Sequence, residues 1–228
     1  MDIEKIPYHI AIIVDGNRRW AKEHNKTPMQ GHDEGLKNLK SISDYILSKG
    51  VKYLSLFVFS TENFKRDEKE VKHLMKLFTN TFKKEKNYFL EKNIKVIFSG
   101  KKENLSKEVI NSINETELCT KDCTKGICNI CLNYGGQSEI VDAVNKILKD
   151  NKKEITIEDF NNYLYQNIPP IDLMIRTSGE YRISNFMLWQ LAYSELYFIN
   201  KNFPDFKEED LDKALLEFSK RDRRFGKR

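Results

Sequence analysis

The apolar run Ile10-Ala11-Ile12-Ile13-Val14 stops at Asp15-Gly16-Asn17-Arg18-Arg19-Trp20, and that polar group has the makings of a site for a metal ion and a diphosphate. Asp15 can hold Mg²⁺, backbone N–H groups around Gly16 and Asn17 can cradle phosphate oxygens, and Arg18 and Arg19 can pair with them. Read alone, Asp-Gly-Asn is more simply an ordinary turn. A second group, Arg176-Thr177-Ser178-Gly179-Glu180-Tyr181-Arg182-Ile183-Ser184, sets two guanidinium groups and a hydroxyl six and eight positions apart in a Gly-containing loop. Such a loop suits a phosphate cradle, because Arg pairs bidentately with phosphate, and it is hard to explain as packing. Ser60-Thr61-Glu62-Asn63 follows the second apolar run of the chain and reads as a functional loop, as the cap of the next helix, or as both. His32 follows Gly31, whereas His9, His24 and His73 have no comparable neighbours.

Elements must deliver these groups to one place. Residues 10–14 are rich in β-branched side chains and too few for a buried helix, so they predict a strand buried on both faces. Further strands are predicted at Tyr53–Phe59, Ile94–Phe98, Ile127–Leu132, Asp172–Ile175 and Leu196–Ile199. A polar helix after Trp20 is expected to break near Pro28, and Gly31-His32 to open an amphipathic helix with Leu36, Leu39, Ile42, Ile46 and Leu47, ending at Gly50. A long helix is predicted from Glu68 to about Lys92, with Val71, Leu74, Met75, Phe78, Phe82 and Phe89 on one side. Shorter helices are expected near 104–117, 137–149, 157–166, 185–193 and 207–222. Strands alternating with helices predict an α/β fold, one domain over 1–228, whose central six-stranded, mostly parallel sheet is flanked by helices. The first, second, fourth and fifth strands all release polar residues at their carboxyl ends, where open α/β sheets collect ligands.

With 228 residues the chain suits one large domain, and no apolar run approaches the roughly 20 residues that span a bilayer. The first eight residues lack a signal-peptide apolar region, which predicts a cytoplasmic protein. The formal net charge of +5 is too mild to argue for nucleic acid, and no nucleic-acid signature accompanies it. It suits anionic substrates or peripheral contact with an anionic membrane face. Cys119, Cys123, Cys128 and Cys131 are spaced C-x₃-C-x₄-C-x₂-C, unlike paired zinc knuckles, and the last two fall on a strand with opposite orientations. Reduced, partly buried thiols are expected in preference to zinc or a disulfide.

In order and spacing these blocks, together with Asn133-Tyr134-Gly135-Gly136, Trp189-Gln190, Glu195-Leu196-Tyr197-Phe198 and Arg223-Arg224-Phe225-Gly226, resemble the cis-prenyltransferases of the undecaprenyl diphosphate synthase (isoprenyl transferase) type. The resemblance runs from about His9 to Gly226. It implies sequential condensation of isopentenyl diphosphate onto an allylic diphosphate such as farnesyl diphosphate, giving a Z-polyprenyl diphosphate. It also implies Mg²⁺ as cofactor, held by Asp15 with help from Glu195, and an elongated apolar tunnel walled by side chains of the long helix; the alternative for that face is ordinary core. Gly16, Asn17, Arg18, Arg19, Trp20 and His32 would receive the allylic diphosphate, and Arg176, Arg182, Ile183 and Ser184 the isopentenyl diphosphate. Asn63 would serve proton transfer, with Ser60, Thr61, Glu62, Phe64 and Arg66 in the substrate region. The resemblance further implies a homodimer in which Arg224 and Gly226 reach the neighbouring subunit's site; the alternative is a frayed basic terminus.

The pattern departs from its relatives at four positions. Pro28 replaces a frequent diphosphate-contacting Arg, Phe64 a Trp, and Gln137 a frequent Arg, while Arg18 adds a cation where Gly is common in bacteria. Among competing classes, an aspartyl-phosphate phosphatase wants a second Asp where Asn17 stands, and trans-prenyltransferases need DDxxD helices that are lacking. The non-catalytic partner subunits of cis-prenyltransferase complexes carry degenerate versions of blocks that are kept here. Nucleotide-binding glycine motifs are missing.

Overall fold

The element order follows directly from the alternating pattern. In a computed structural model describing residues 4–221, β1 (His9–Ile13) leads to α1 (Asn17–Glu23), α2 (Pro28–Ser48) and β2 (Tyr53–Ser60). A 3-10 turn (Thr61–Lys65) precedes α3 (Glu68–Glu91), β3 (Ile94–Ser99), α4 (Lys107–Thr120), β4 (Gly126–Tyr134), α5 (Gly136–Lys149) and α6 (Ile157–Tyr163). The chain closes with β5 (Leu173–Arg176), β6 (Glu195–Phe198), a 3-10 turn (Phe203–Asp205) and α7 (Glu208–Ser219). The six strands form one sheet in the order β3-β4-β2-β1-β5-β6. The pairings β1 with β5, β5 with β6 and β3 with β4 are all parallel, the α/β architecture that alternation predicts. No helix of the described residues is long and apolar enough to cross a membrane.

The chain divides into two compact units. The first takes the chain to Ser55, Pro170–Ile183 and the residues from Leu191 onward. In it β1 is buried at every position, as a β-branched strand covered on both faces should be. Ile13 lies level with Arg176 of β5, so the turn after β1 and the loop after β5 emerge side by side. Pro28 marks a start, not a break within the amphipathic helix. It occupies the first turn of α2, where a missing N–H costs nothing, and Thr27 and Gln30 form a reciprocal cap, with Gln30 Oε1 accepting from Thr27 N at 2.9 Å. Gly31 and His32 therefore fall inside the start of that helix instead of opening it. Gly50, at φ 94°, follows the last residues of α2, the left-handed stop that glycine permits.

The second unit takes Leu56–Pro169 and Ser184–Gln190. Its β3 and β4 run in register from Ile94 opposite Gly126 to Ser99 opposite Cys131. Asp67 caps α3, accepting from Lys69 N at 2.9 Å. Leu74, Phe78 and Phe82 on α3 are buried, and the ring of Phe82 meets Phe98 edge-on at 4.9 Å. These three side chains are core; Val71, Met75 and Phe89 are half-buried. All four cysteines are unbonded to one another, and Cys128 and Cys131 are both buried on β4, where burial pushes the Cys128 thiol up to about 12.

The helix expected over 185–193 does not form. Ser184, Asn185 and Met187 have φ of 49°, 62° and 37°, values no right-handed helix admits, and the segment makes a series of turns.

Candidate active site

In the first unit the end of β1 and the end of β5 meet as a charge cluster. Arg176 is the last residue of β5, with a side chain only 4% exposed, and its Nη2 donates to Asp15 Oδ2 at 2.8 Å. Its Nη1 donates to the Arg182 carbonyl, which folds the following loop back over the strand end. The register that sets Ile13 beside Arg176 is what brings the two sequence blocks together, although 161 positions separate the paired side chains.

Thr177 fixes Asp15 from the backbone side. Its Oγ1 accepts from Asp15 N at 3.0 Å and donates to the Asp15 carbonyl at 2.7 Å. Asp15 Oδ1 accepts from Gly16 N at 2.8 Å, so that N–H, expected for phosphate, is occupied by the carboxylate. Gly16 is a requirement of the turn. At φ 100° it adopts a conformation L-residues avoid, and a Cβ there would lie 2.4 Å from Asn202 Oδ1. Asn17 is pressed by α2: Cβ atoms at Gly31 and Gly35 would stand 2.2 Å from its carbonyl and 2.3 Å from its Oδ1.

The remaining arginines of the cluster share one carboxylate. Arg19 donates to Ser178 O at 2.7 Å and pairs with Glu180, which Arg182 also holds. The Arg19 hydrogen bond, with that from Arg182, outweighs desolvation and holds the Glu180 carboxyl below its ordinary range. Arg18 is exposed on α1. Three guanidinium groups, those of Arg19, Arg176 and Arg182, thus stand with the carboxylates of Asp15 and Glu180. Trp20 is buried, its indole N–H donating to Asp205 at 2.9 Å and its ring stacked on His24, which gives it a structural role. His32 is buried on α2.

Asp15 is the one predicted metal ligand in this cluster. Its side chain is 32% exposed, and a single reachable carboxylate fits Mg²⁺, which keeps waters and phosphate oxygens around one or two carboxylates and does not need a protein cage. Glu195 is not brought to it. It pairs in register with Leu173, which pairs with Ile10, five positions before Asp15, a separation of roughly 15 Å along the strands. Glu195 instead accepts from Arg221 at 3.0 Å. Arg224 and Gly226 lie outside the described residues.

In the second unit Ser60 caps the 3-10 turn, and its N–H donates to Asn63 Oδ1 at 3.0 Å; α3 has its own cap in Asp67. The block therefore caps its own 3-10 turn and not the long helix, and the same bond fixes the Asn63 side chain. Phe64 meets Phe59 edge-on at 4.9 Å, and Arg66 pairs with Glu70 at 3.2 Å. Glu62 is exposed; burial alone would raise its carboxyl, but its own N–H and donors from Asn185, Ser60 and Thr61 hold it low. Ile183, at the end of the first unit, is half-buried; Ser184, which begins this second stretch, is exposed. Sequence reasoning assigns no part to Thr177, Glu180 and Asn185. Each lies inside or beside a block that it singles out, and only the tertiary partners reveal what each does.

Comparisons with known proteins bear on the family and the fold. Residues 13–226 match the Prenyltransf family model, undecaprenyl diphosphate synthase. The chain is 49% identical over 223 residues to an isoprenyl transferase of Fusobacterium nucleatum, covering 98% of this chain and 97% of that one. It is 45% identical to a geranylgeranyl-diphosphate-specific tritrans,polycis-undecaprenyl-diphosphate synthase of Pyrococcus horikoshii, over 97% of this chain and 88% of that one. Among solved structures it superposes on lavandulyl diphosphate synthase from Lavandula x intermedia, in complex with dimethylallyl diphosphate, with a TM-score of 0.93, 33% identity and coverage of 97% and 99%.

Proposed function

The chain belongs to the undecaprenyl diphosphate synthase family and is a prenyltransferase, and from that premise we propose that it condenses isopentenyl diphosphate repeatedly onto an allylic diphosphate such as farnesyl diphosphate, with Mg²⁺ and with new double bonds of Z geometry. The observation that carries this reading is the Asp15–Arg176 pair at the carboxyl ends of neighbouring parallel strands, flanked by Arg19 and Arg182.

In each cycle the allylic C–O bond breaks and its electron pair leaves on the diphosphate. The double bond of isopentenyl diphosphate supplies the electrons of the new C–C bond, and a proton then leaves the adduct. Asp15 would hold Mg²⁺, which when bound would supply neutralisation of the charge on the departing diphosphate. Asn17, Arg18 and Arg19 hold that diphosphate, and Arg19 exchanges Glu180 for phosphate oxygens, which bind a guanidinium bidentately. Arg176, Arg182 and Ser184 hold isopentenyl diphosphate, and Asn63 lies on the route of the departing proton. Cations fixed in place before reaction stabilise the leaving charge without reorganising.

The growing apolar chain is housed along the α3 face, past half-buried Val71 and Met75. Two copies associate, and Arg224 and Gly226 of one complete the isopentenyl diphosphate site of the other. The reaction takes place in the cytoplasm, and its lipid product draws the enzyme to the membrane face. Incubating the purified protein with Mg²⁺, isopentenyl diphosphate and allylic starters of several lengths, then sizing the products, tests the reading. Elongation of at least one starter is expected; none with any starter at saturating Mg²⁺ overturns it.

A further inference from the structure

The block Asn133-Tyr134-Gly135-Gly136 finds no employment in the chemistry above, and its surroundings point to a residue next to the Ser184 hydroxyl. The α5 helix begins at Gly136, and its cap, Gly135, has no side chain to satisfy the first N–H groups. Asn185 satisfies two of them. Its carbonyl accepts from Gly136 N at 2.7 Å and its Oδ1 accepts from Gln137 N at 2.8 Å. The other end of the same carboxamide is also used: Nδ2 donates to Glu62 Oε1 at 3.1 Å. The glycines allow this approach, since a Cβ at Gly135 would lie 2.9 Å from Asn185 Nδ2 and 3.0 Å from Thr61 Oγ1, and one at Gly136 2.7 Å from Leu188 Cγ.

The backbone at this point is unusual. Ser184 and Asn185 are consecutive left-handed residues, φ 49° and 62°, a pairing that persists only where surrounding contacts impose it. Asn tolerates the left-handed region better than most residues, and Ser does not. The three hydrogen bonds of Asn185 fix the backbone and side chain directly after the exposed, left-handed Ser184. The same bonds tie Glu62, adjacent to Asn63, to the start of α5. Within the second unit one side chain connects the loop that presents Ser184 to the loop that presents Asn63.

We propose that Asn185 is a positioning residue for prenyl transfer, setting the Ser184 hydroxyl that receives isopentenyl diphosphate and the Ser60–Asn63 loop in a single arrangement. The inference rests on the prenyl-transfer reading. A residue that serves only as a cap for α5 would change stability and leave the kinetic constants alone, which provides the test.

The full-length protein is compared with Asn185→Gly, which keeps the left-handed backbone and removes both side-chain bonds, and with Asn185→Asp, which keeps the acceptor for Gln137 and sets a second carboxylate against Glu62. For each, kcat, the KM of both substrates, the melting temperature and calorimetric binding of isopentenyl diphosphate alone are measured. In both variants kcat/KM for isopentenyl diphosphate should fall about tenfold to a hundredfold, as loss of substrate positioning does, with the allylic KM little changed. Asn185→Asp should melt closer to wild type than Asn185→Gly while losing at least as much activity. Adding Glu62→Gln to Asn185→Asp restores a donor–acceptor pair and should recover several-fold of the loss, beyond what Glu62→Gln does alone. Lower melting temperatures with unchanged KM and kcat, or no recovery in the double variant, would overturn the proposal. If wild type binds isopentenyl diphosphate but elongates nothing, the transfer reading fails and the Asn185 assignment is decided on that affinity; if it does neither, both fall.

Discussion

Two carboxylates, one in each unit, are satisfied in opposite ways. Asp15 is 32% exposed and faces a guanidinium, while Glu139 on α5 is 1% exposed and is met by neutral donors. Tyr134 Oη donates to Glu139 at 2.5 Å, Gln190 Nε2 at 3.2 Å and Tyr165 N at 3.1 Å. Burial pushes the Glu139 carboxyl above its ordinary 4.5, against the pull of those donors. The contrast separates a carboxylate that solvent can reach from one that is sealed in. Ion-paired, solvent-reachable charges can trade a carboxylate for a phosphate at little desolvation cost. A buried carboxylate with three fitted donors cannot leave without orphaning all of them.

The sharpest break would come from Asp15→Asn, which keeps the size of the side chain and an acceptor for buried Arg176 but removes the charge. Turnover should drop about a hundredfold to a thousandfold with a small change in melting temperature. Turnover within a few-fold of wild type would remove Asp15 from the chemistry and erase the distinction between the two carboxylates.

Glu139→Ala should invert that profile. Losing the acceptor for Tyr134, Gln190 and Tyr165 should lower stability by about 2–4 kcal/mol, read by chemical denaturation, because a buried unsatisfied donor is costly. The KM of the substrates in the folded fraction should move far less. A catalytic loss as deep as that of Asp15→Asn at full stability would show that Glu139 belongs to the reaction.

Salt offers a gentler comparison. Raising ionic strength from about 0.05 to 0.5 M should weaken diphosphate binding several-fold, because the Debye length contracts and Arg18, Arg19 and Arg182 are exposed. The effect of Glu139→Ala on stability should change far less with salt, since the hydrogen-bond donors it loses are neutral and only Lys146 acts on it through charge. A salt-independent KM would argue against a charge-built site.

The smallest expected effect concerns pH. Because the Glu139 pKa is raised in the fold, its contribution to stability is complete below its unfolded value and is lost as pH rises through the folded one. Glu139→Gln, which does not titrate, should lack this slope. Its stability relative to wild type should therefore shift in the variant's favour between about pH 4 and pH 8. A difference that stays flat across that range would mean Glu139 titrates alike in both states.

The two units also differ in how far their sequences can be read. The β1 block discloses itself because a β-branched run that stops at Asp-Gly-Asn has few alternatives, and α2 and α3 because a 3.6-residue apolar period sustained over many turns is hard to mistake. The segment 185–193 misleads. Its apolar residues mimic a short helix, whereas Ser184, Asn185 and Met187 are left-handed and Asn185 is tied to the start of α5, a long-range contact that no local pattern announces. Pro28 reads as an interruption because proline breaks helices in their interior, yet it is favoured at their first position, and only the Thr27–Gln30 cap distinguishes the two.

By itself the sequence determined the class of the sheet, the family, and the pool of residues from which a diphosphate site could be drawn, because periodicity, side-chain type and motif spacing are local properties. Tertiary structure alone decided the partnerships. The register of β1 on β5 placed Arg176 on Asp15, the turn of the following loop gave Arg19 and Arg182 a shared Glu180, and the register of β6 carried Glu195 to the far end of its strand. Register shifts every side chain of a strand together and depends on packing across the whole sheet, so it cannot be read from any one of the segments it aligns.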